Sequence, residues 1–315
     1  MSGTIDTHHH LIPQRFRDLW FANIEKARGL VLPTWAPEGT LGLIQDVGLA
    51  AAILSMGHPV HPYVSDRSQI GPICREINEY TARFRDEHPD RLGFLATLPP
   101  LDQAEACIAE IAYAFDALKA DGVVVFSSYA QKYLGHADFR AAWAELDRRG
   151  AVVLVHPGFE GMAAIDEPRY LAPPVIDWTH ETTRTAVHLI STGVTRQFPA
   201  VKIILSHAGG TLPYVVRRAA NLCCRIRLVT MTEDEFVAEA QRFYIDVAFS
   251  SYDPQLRLLK EFVKPGHVLF GSDFPWEHSD VAAAQLAATE RVFADETREA
   301  ALQLFPRLRQ YHDKQ

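Results

Sequence analysis

His8 and His10 stand one residue apart in TIDTHHH (residues 4–10). In an extended strand successive side chains alternate faces. These two imidazoles therefore project together, with Cα atoms roughly 6–7 Å apart, while His9 turns to the other side. Both rings can then reach one metal ion at the usual N–metal distance of about 2.0–2.1 Å. Taken alone, the pair is equally a chance histidine cluster near a terminus. Three further polar residues close other apolar runs: His156 in AVVLVHP (151–157), His207 in VKIILSHAGG (201–210) and Asp273 in HVLFGSD (267–273). Singly, His156 reads as a loop histidine, SHAGG as a turn, and Asp273 as a turn or helix cap. The glycines after His207 would also let a substrate approach the backbone closely. Together the residues form a His/His/His/Asp set, which suits zinc and also manganese or iron.

The elements that carry these residues repeat. The other apolar runs are 49–56, 91–99, 121–126 and 243–249, giving eight strand-like segments. Most are continuous rather than alternating, as expected of parallel strands covered on both faces. Helical patterns lie between them at 38–48, 70–88, 102–119, 137–149, 182–198, 211–227, 253–263 and 279–293, with a further one at 295–305. Asp102 and Asp253 look like N-caps, Pro254 suits a first helical position, and Gly150 a helix C′. Eight β-then-α units predict an α/β fold, a (β/α)8 TIM-type barrel in one domain over residues 1–315. A doubly wound open sheet is the rival, but no glycine-rich phosphate fingerprint follows the first strand. In a barrel, strands one, five, six and eight would bring His8, His10, His156, His207 and Asp273 to one mouth. Long connections at 11–37 and 157–181 would lie over it.

Composition narrows the partners. The 315 residues carry a formal net charge of −8, which argues against a nucleic-acid partner. A small anion remains compatible, because it meets the local field of a cleft. There is no run of 18 apolar residues and no secretory leader pattern, so a membrane partner and export are not expected. Cys74, Cys107, Cys223 and Cys224 show no framework spacing and read as buried, reduced thiols, consistent with a cytoplasmic protein.

The succession HxH, a histidine after strand five, SHxGG and GSDFPW resembles amidohydrolase family 2, in particular its 2-amino-3-carboxymuconate-6-semialdehyde decarboxylase branch. APEGTLGLIQDVGLAAAILSM, SSYAQKYLG and WTHETTRTA are similar to 6-methylsalicylate decarboxylases. The resemblance runs from IDTHHH to EAALQLF. It implies that His8, His10, His156 and Asp273 hold the metal and that His207 hydrogen-bonds a metal-bound water or the substrate and serves in proton transfer. It also implies a homodimer in which Arg218, or its neighbour Arg217, enters the other subunit's site; a solvated helix face is the plain alternative for either. PEGTLGLIQDVG lacks the early arginine of the muconate enzymes, which favours a simple aromatic acid over a dicarboxylate. DGVVVF lacks a lysine that could be carbamylated, so one metal per chain is expected, Zn2+ or alternatively Mn2+.

Around this set, His58 and His61 in SMGHPVHP could contact substrate, or be plain loop residues. Ser127, Ser128 and Tyr129 could hydrogen-bond an aromatic ring's substituents. Trp178 and His180, in the expected loop after strand five, could wall a pocket. Phe16, Trp20 and Trp35 could cover the site, with loop packing the better account of at least two of them. The leading expectation is non-oxidative decarboxylation of a small aromatic ortho-hydroxy carboxylate, with Asp273 the first and His207 the second candidate proton carrier. The alternative is hydrolysis of a lactone or amide at one metal, with His207 as base. A non-catalytic, ligand-binding barrel is a third reading.

Overall fold

A computed structural model of the protein describes residues 3–27, 30–158 and 172–312. Eight short strands rich in Val, Ile, Leu and Ala form one parallel sheet: β1 (Ile5–His10), β2 (Ala51–Ser55), β3 (Leu92–Thr97), β4 (Gly122–Phe126), β5 (Val152–His156), β6 (Lys202–Leu205), β7 (Tyr244–Asp246) and β8 (Val268–Leu269). They follow one another around the sheet in chain order. The first and last strands meet through the bridges Asp6–Phe270 and His9–Phe274, which bring the sheet round into a (β/α)8 barrel. Two-sided burial explains the continuous apolar runs: nearly every strand residue is buried.

Three strands are shorter than the apolar runs suggest. The run 201–210 leaves the sheet after Leu205, 243–249 after Asp246 and 267–273 after Leu269. His207, Phe249 and Asp273 follow these ends with φ of 55°, 52° and 58°. Left-handed backbone at non-glycine residues is costly and concentrates where a side chain must be aimed. Periodicity carries no sign of it, so the runs read as longer strands.

The outer helices largely follow the pattern. Those at Pro37–Val47, Ile70–Glu87, Leu212–Arg225, Asp253–Phe262 and Ser279–Phe293 lie within a residue or two of expectation. Gly150 has a φ of 58°, as a residue just beyond a helix C-terminus requires. Asp102 is not the N-cap; Gln103 is, and Asp102 instead pairs with Arg67 at 2.7 Å. The expected connection 11–37 contains a helix, Gln14–Ala22, which buries Phe16 and Trp20. The helix expected from 182 begins at Asp177, so Trp178 and His180 occupy its first turn rather than a loop. Residues 159–171 of the expected connection lie outside the described residues. Three of the four thiols are buried; Cys224 is only half-buried, and all four are free. No helix among the described residues is long and apolar enough to cross a membrane.

Candidate metal centre

The mouth of the barrel brings the five residues together. His8 and His10 both point inward from β1, and their Nε2 atoms lie 2.9 Å apart. Asp273 Oδ1 is 3.1 Å from His10 Nε2 and 3.7 Å from His8 Nε2. His207 Nε2 is 3.0 Å from Asp273 Oδ2. His156 leans in from β5, its ring 5.3 Å from His8 and 5.0 Å from His10. Donor atoms of His8, His10 and Asp273, and those of His8, His156 and His207, form two groups that share His8, each within 4.8 Å. Two ligands at about 2.0–2.1 Å from one ion stand about 2.9–3.4 Å apart at right-angled to tetrahedral geometry. Two of the three separations within the first group, 2.9 and 3.1 Å, fall in that range and the third, 3.7 Å, lies just above it, so the set fits a divalent ion after a small adjustment. His207 is close enough to belong to the coordination shell as well as to act on a bound molecule.

The neighbouring residues fix the rings. His8 Nδ1 contacts Asp246 Oδ2 at 2.9 Å, and Asp246 Oδ1 accepts from the backbone N–H groups of His207 and Ala248. His156 Nδ1 lies 2.9 Å from the Pro157 carbonyl. A ring that donates through Nδ1 leaves Nε2 as a lone pair facing the cluster, which is the ligand form. His9 takes the opposite face. It contacts Asp6 Oδ2 at 3.0 Å and Thr40 Oγ1 at 3.0 Å, while Ser272 Oγ donates to the same Asp6. His9 thus ties the first strand to helix Pro37–Val47 and steadies Asp6, whose bond to Ser272 joins the strand to the end of the last one. Gly271 serves the same seam, since a Cβ there would lie 2.6 Å from His8 Cβ.

Burial and crowding set the charges. Burial disfavours a proton on His8, but the carboxylates of Asp246 and Asp273 outweigh it and raise its pKa to about 9 in the metal-free protein. Burial lowers His10, and burial with the neighbouring histidines holds His156 well below the usual range. Burial would raise Asp273, yet His8, His10 and His207 keep it well below the carboxylate range. His207 Nδ1 is buried without a hydrogen-bond partner among the described residues. A buried imidazole N with no partner is uncommon and marks a position that a bound molecule can satisfy.

A forked cavity opens from this cluster. One arm, ≈ 180 Å³, is walled by His10, Leu30, Val31, His58, His156 and Trp276; the other, ≈ 390 Å³, by His207, Val175, Thr179 and Ser250. Pro174, Trp178, Phe249 and Asp273 border both. His58 is buried among Phe16, Trp20, Trp178 and Trp276, and burial first of all brings its pKa down to about 3, so the ring is neutral. Phe16 and Trp20 thus support the cavity from behind, whereas Trp35 packs against Tyr80 and Phe84.

Other expected contacts fall elsewhere. His61 is half-buried with its ring 5.4 Å from Tyr129, outside the cavity's described walls. Ser128 lies in a small hairpin, paired with Tyr133. Ser127 accepts from Gly158 N–H and so supports the turn after His156, and Tyr129 Oη accepts from Phe126 N–H. His180 is exposed: two residues along a helix from Trp178 it must face another way. Gly210 (φ 64°) permits a close approach of helix 177–191, not of substrate, for a Cβ there would lie 1.9 Å from the Thr179 carbonyl. Arg217 pairs with Asp234 at 2.7 Å. Arg218 is exposed on Leu212–Arg225, away from this chain's cavity, in line with exposed Tyr214 and Leu222.

The fold and cluster define a (β/α)8 barrel whose mouth carries a histidine–carboxylate cluster able to hold a metal ion. The chain belongs to the amidohydrolase family, whose profile it matches over residues 5–304. It is 39% identical over 319 residues to a 6-methylsalicylic acid decarboxylase of Penicillium expansum, covering 98% of each chain. It is 40% identical over 322 residues to a decarboxylase of Penicillium terrestre, covering 97% of this chain and 95% of the relative. Among solved structures, an amidohydrolase II superposes with a TM-score of 0.86 at 26% identity, over 96% of this chain and 99% of the other. A dihydroxybenzoic acid decarboxylase of a Polaromonas species, with bound manganese, gives a TM-score of 0.79 at 21% identity over 97% of each chain.

Proposed function

We propose that this chain is a metal-dependent carboxy-lyase that removes the carboxyl group of a small aromatic ortho-hydroxy acid without oxidation, with 6-methylsalicylate the foremost substrate. The observation that carries this reading is the junction of a histidine–carboxylate cluster with an aromatic-walled cavity. The end-to-end relationship to 6-methylsalicylic acid decarboxylases supports it. His8, His10, His156 and Asp273 would hold one ion per chain. A nitrogen-rich set favours Zn2+, and the manganese in the Polaromonas enzyme makes Mn2+ the alternative. When bound, the ion supplies a positive centre that an adjacent carboxylate and phenolate can chelate.

The residues then divide the chemistry. Trp178, Trp276, Phe249 and His58 hold the ring and keep water from it. The Asp273–His207 pair, in contact at 3.0 Å, stores and delivers the proton. Asp273 starts as a carboxylate, so a proton reaches it only after substrate enters and displaces water; His207 relays it. The ring carbon bearing the carboxylate accepts this proton and loses aromaticity. The bond to the carboxyl carbon then breaks, its electron pair returns to the ring, and carbon dioxide leaves. Carboxylate and proton are consumed; phenol and carbon dioxide are formed.

The chain would act as a homodimer. Tyr214, Arg218 and Leu222 form an exposed line on one helix, and Arg218 would complete the partner's site by facing the substrate's anionic group. Four free thiols fit a cytoplasmic setting. The test is turnover of 6-methylsalicylate in heavy water: 3-methylphenol should form with one deuterium at the carbon that lost its carboxyl group. Ring-opened products from a lactone panel, with no carbon dioxide from any hydroxybenzoate, would establish the hydrolase instead.

A further inference from the structure

The two arms of the cavity differ in chemistry, and they diverge from a shared border at Asp273 and Trp178. Beyond the cluster the smaller arm is walled mainly by apolar side chains, Leu30, Val31 and Trp276, with the neutral imidazole of His58 packed among aromatic rings. The larger arm carries Thr179, Ser250 and His207, whose Nδ1 has no hydrogen-bond partner among the described residues. Among the described residues, no lysine or arginine lines either arm. In a salicylate the carboxylate lies between two ortho positions that point to opposite sides. A ring anchored at the cluster by its carboxylate must therefore send one ortho substituent into each arm.

We propose that the arms read the two ortho positions separately: the hydroxyl turns toward His207, and the apolar arm at Leu30, Val31 and Trp276 selects an alkyl group at position 6. This rests on the decarboxylase reading above. The chain then discriminates 6-alkylsalicylates from 2,6-dihydroxybenzoate, whose second hydroxyl would be desolvated against the Leu30, Val31 and Trp276 walls of that arm. A buried methyl gained, or a hydroxyl desolvated, changes kcat/KM by about tenfold to a hundredfold in such pockets.

The experiment compares kcat/KM for 6-methylsalicylate, salicylate and 2,6-dihydroxybenzoate in wild type, Leu30→Phe and Val31→Trp. The expected wild-type order places 6-methylsalicylate at least about tenfold above 2,6-dihydroxybenzoate. Leu30→Phe, which narrows the arm, should reduce the preference for 6-methylsalicylate over salicylate by about tenfold. Val31 is 82% exposed at the rim, so Val31→Trp should fold even where Leu30→Phe does not, and it should shift the ratio the same way. Equal turnover of the methyl and dihydroxy acids, or unchanged ratios in folded variants, overturns the orientation alone. Turnover of none of the three overturns the decarboxylase reading and this inference with it.

Discussion

Asp246→Asn should strip the proposed metal centre while leaving the barrel folded. The side chain is fully buried and nearly unchanged in shape by the substitution. Oδ1 accepts from His207 N–H and Ala248 N–H, both at 3.1 Å, so the asparagine oxygen stays on that side. The new NH2 must then face His8 Nδ1, where Oδ2 stood at 2.9 Å. Two donors cannot share that contact. His8 must move its proton to Nε2, the atom that faces His10 and Asp273, and a protonated nitrogen cannot ligate. Loss of such an orienting carboxylate lowers metal affinity by about 10–100-fold, or about 1.4–2.7 kcal/mol. Competition with a chromogenic chelator measures the affinity, and thermal unfolding of the metal-free proteins measures the fold. The expected result is weakened zinc binding in a variant that still unfolds cooperatively, with a metal-free Tm somewhat below wild type at neutral pH because the main charge that keeps His8 protonated is gone. Wild-type affinity in a correctly folded variant would refute the argument that Asp246 sets the His8 tautomer.

Other expectations follow from the same geometry. Elemental analysis should find about one zinc per wild-type chain and little in the His8→Ala/His10→Ala double variant, since one ion with a single shell needs both rings; equal contents would displace the site. In the metal-free protein His8 holds a proton up to about pH 9, while burial keeps His10 and His156 neutral and Asp273 is ionised. Metal uptake at pH 7.5 should therefore release about one proton, and affinity should rise about tenfold per pH unit until His8 is deprotonated near pH 9. Calorimetry in buffers of different ionisation enthalpy checks this, and zero release would contradict the charge on His8. Without metal the sign reverses: the raised pKa adds stability that is full below pH 6.5 and is lost as pH climbs through about 9. Mixing inactive Arg218→Ala with inactive His207→Ala should restore part of the activity through hybrid dimers, and no recovery despite proven subunit exchange would exclude a shared site.

The sequence makes the barrel legible because its strands are buried on both faces and its outer helices keep one apolar side, and both habits leave a periodic trace. The proposed ligands were found by where they fall, at the ends of apolar runs. That same rule hid Asp246. With 243–249 read as one strand, Asp246 sits in its middle, whereas β7 ends there and the backbone turns. Trp276 and Phe249, which wall the cavity, lie beyond strand ends on segments whose direction is set by left-handed residues, and no periodicity reports that. Helix Gln14–Ala22 did leave a signal, since Phe16, Leu19 and Trp20 have helical spacing, but its length and flanking prolines read as a connection. Trp178 and His180 lie two residues apart, and because their segment is helical only one of them can face inward.

The seam between the first and last strands ties the centre to the order in which the chain is made. His8 and His10 leave the ribosome long before Asp273, yet Asp273 N–H donates to His8 C=O at 2.9 Å. Only when more than 260 residues lie between them can the ends meet, a contact of very high sequence separation. A nascent or truncated chain lacking the GSDFPW segment can expose two histidines but cannot complete the proposed site. Metal retention thus reports ring closure.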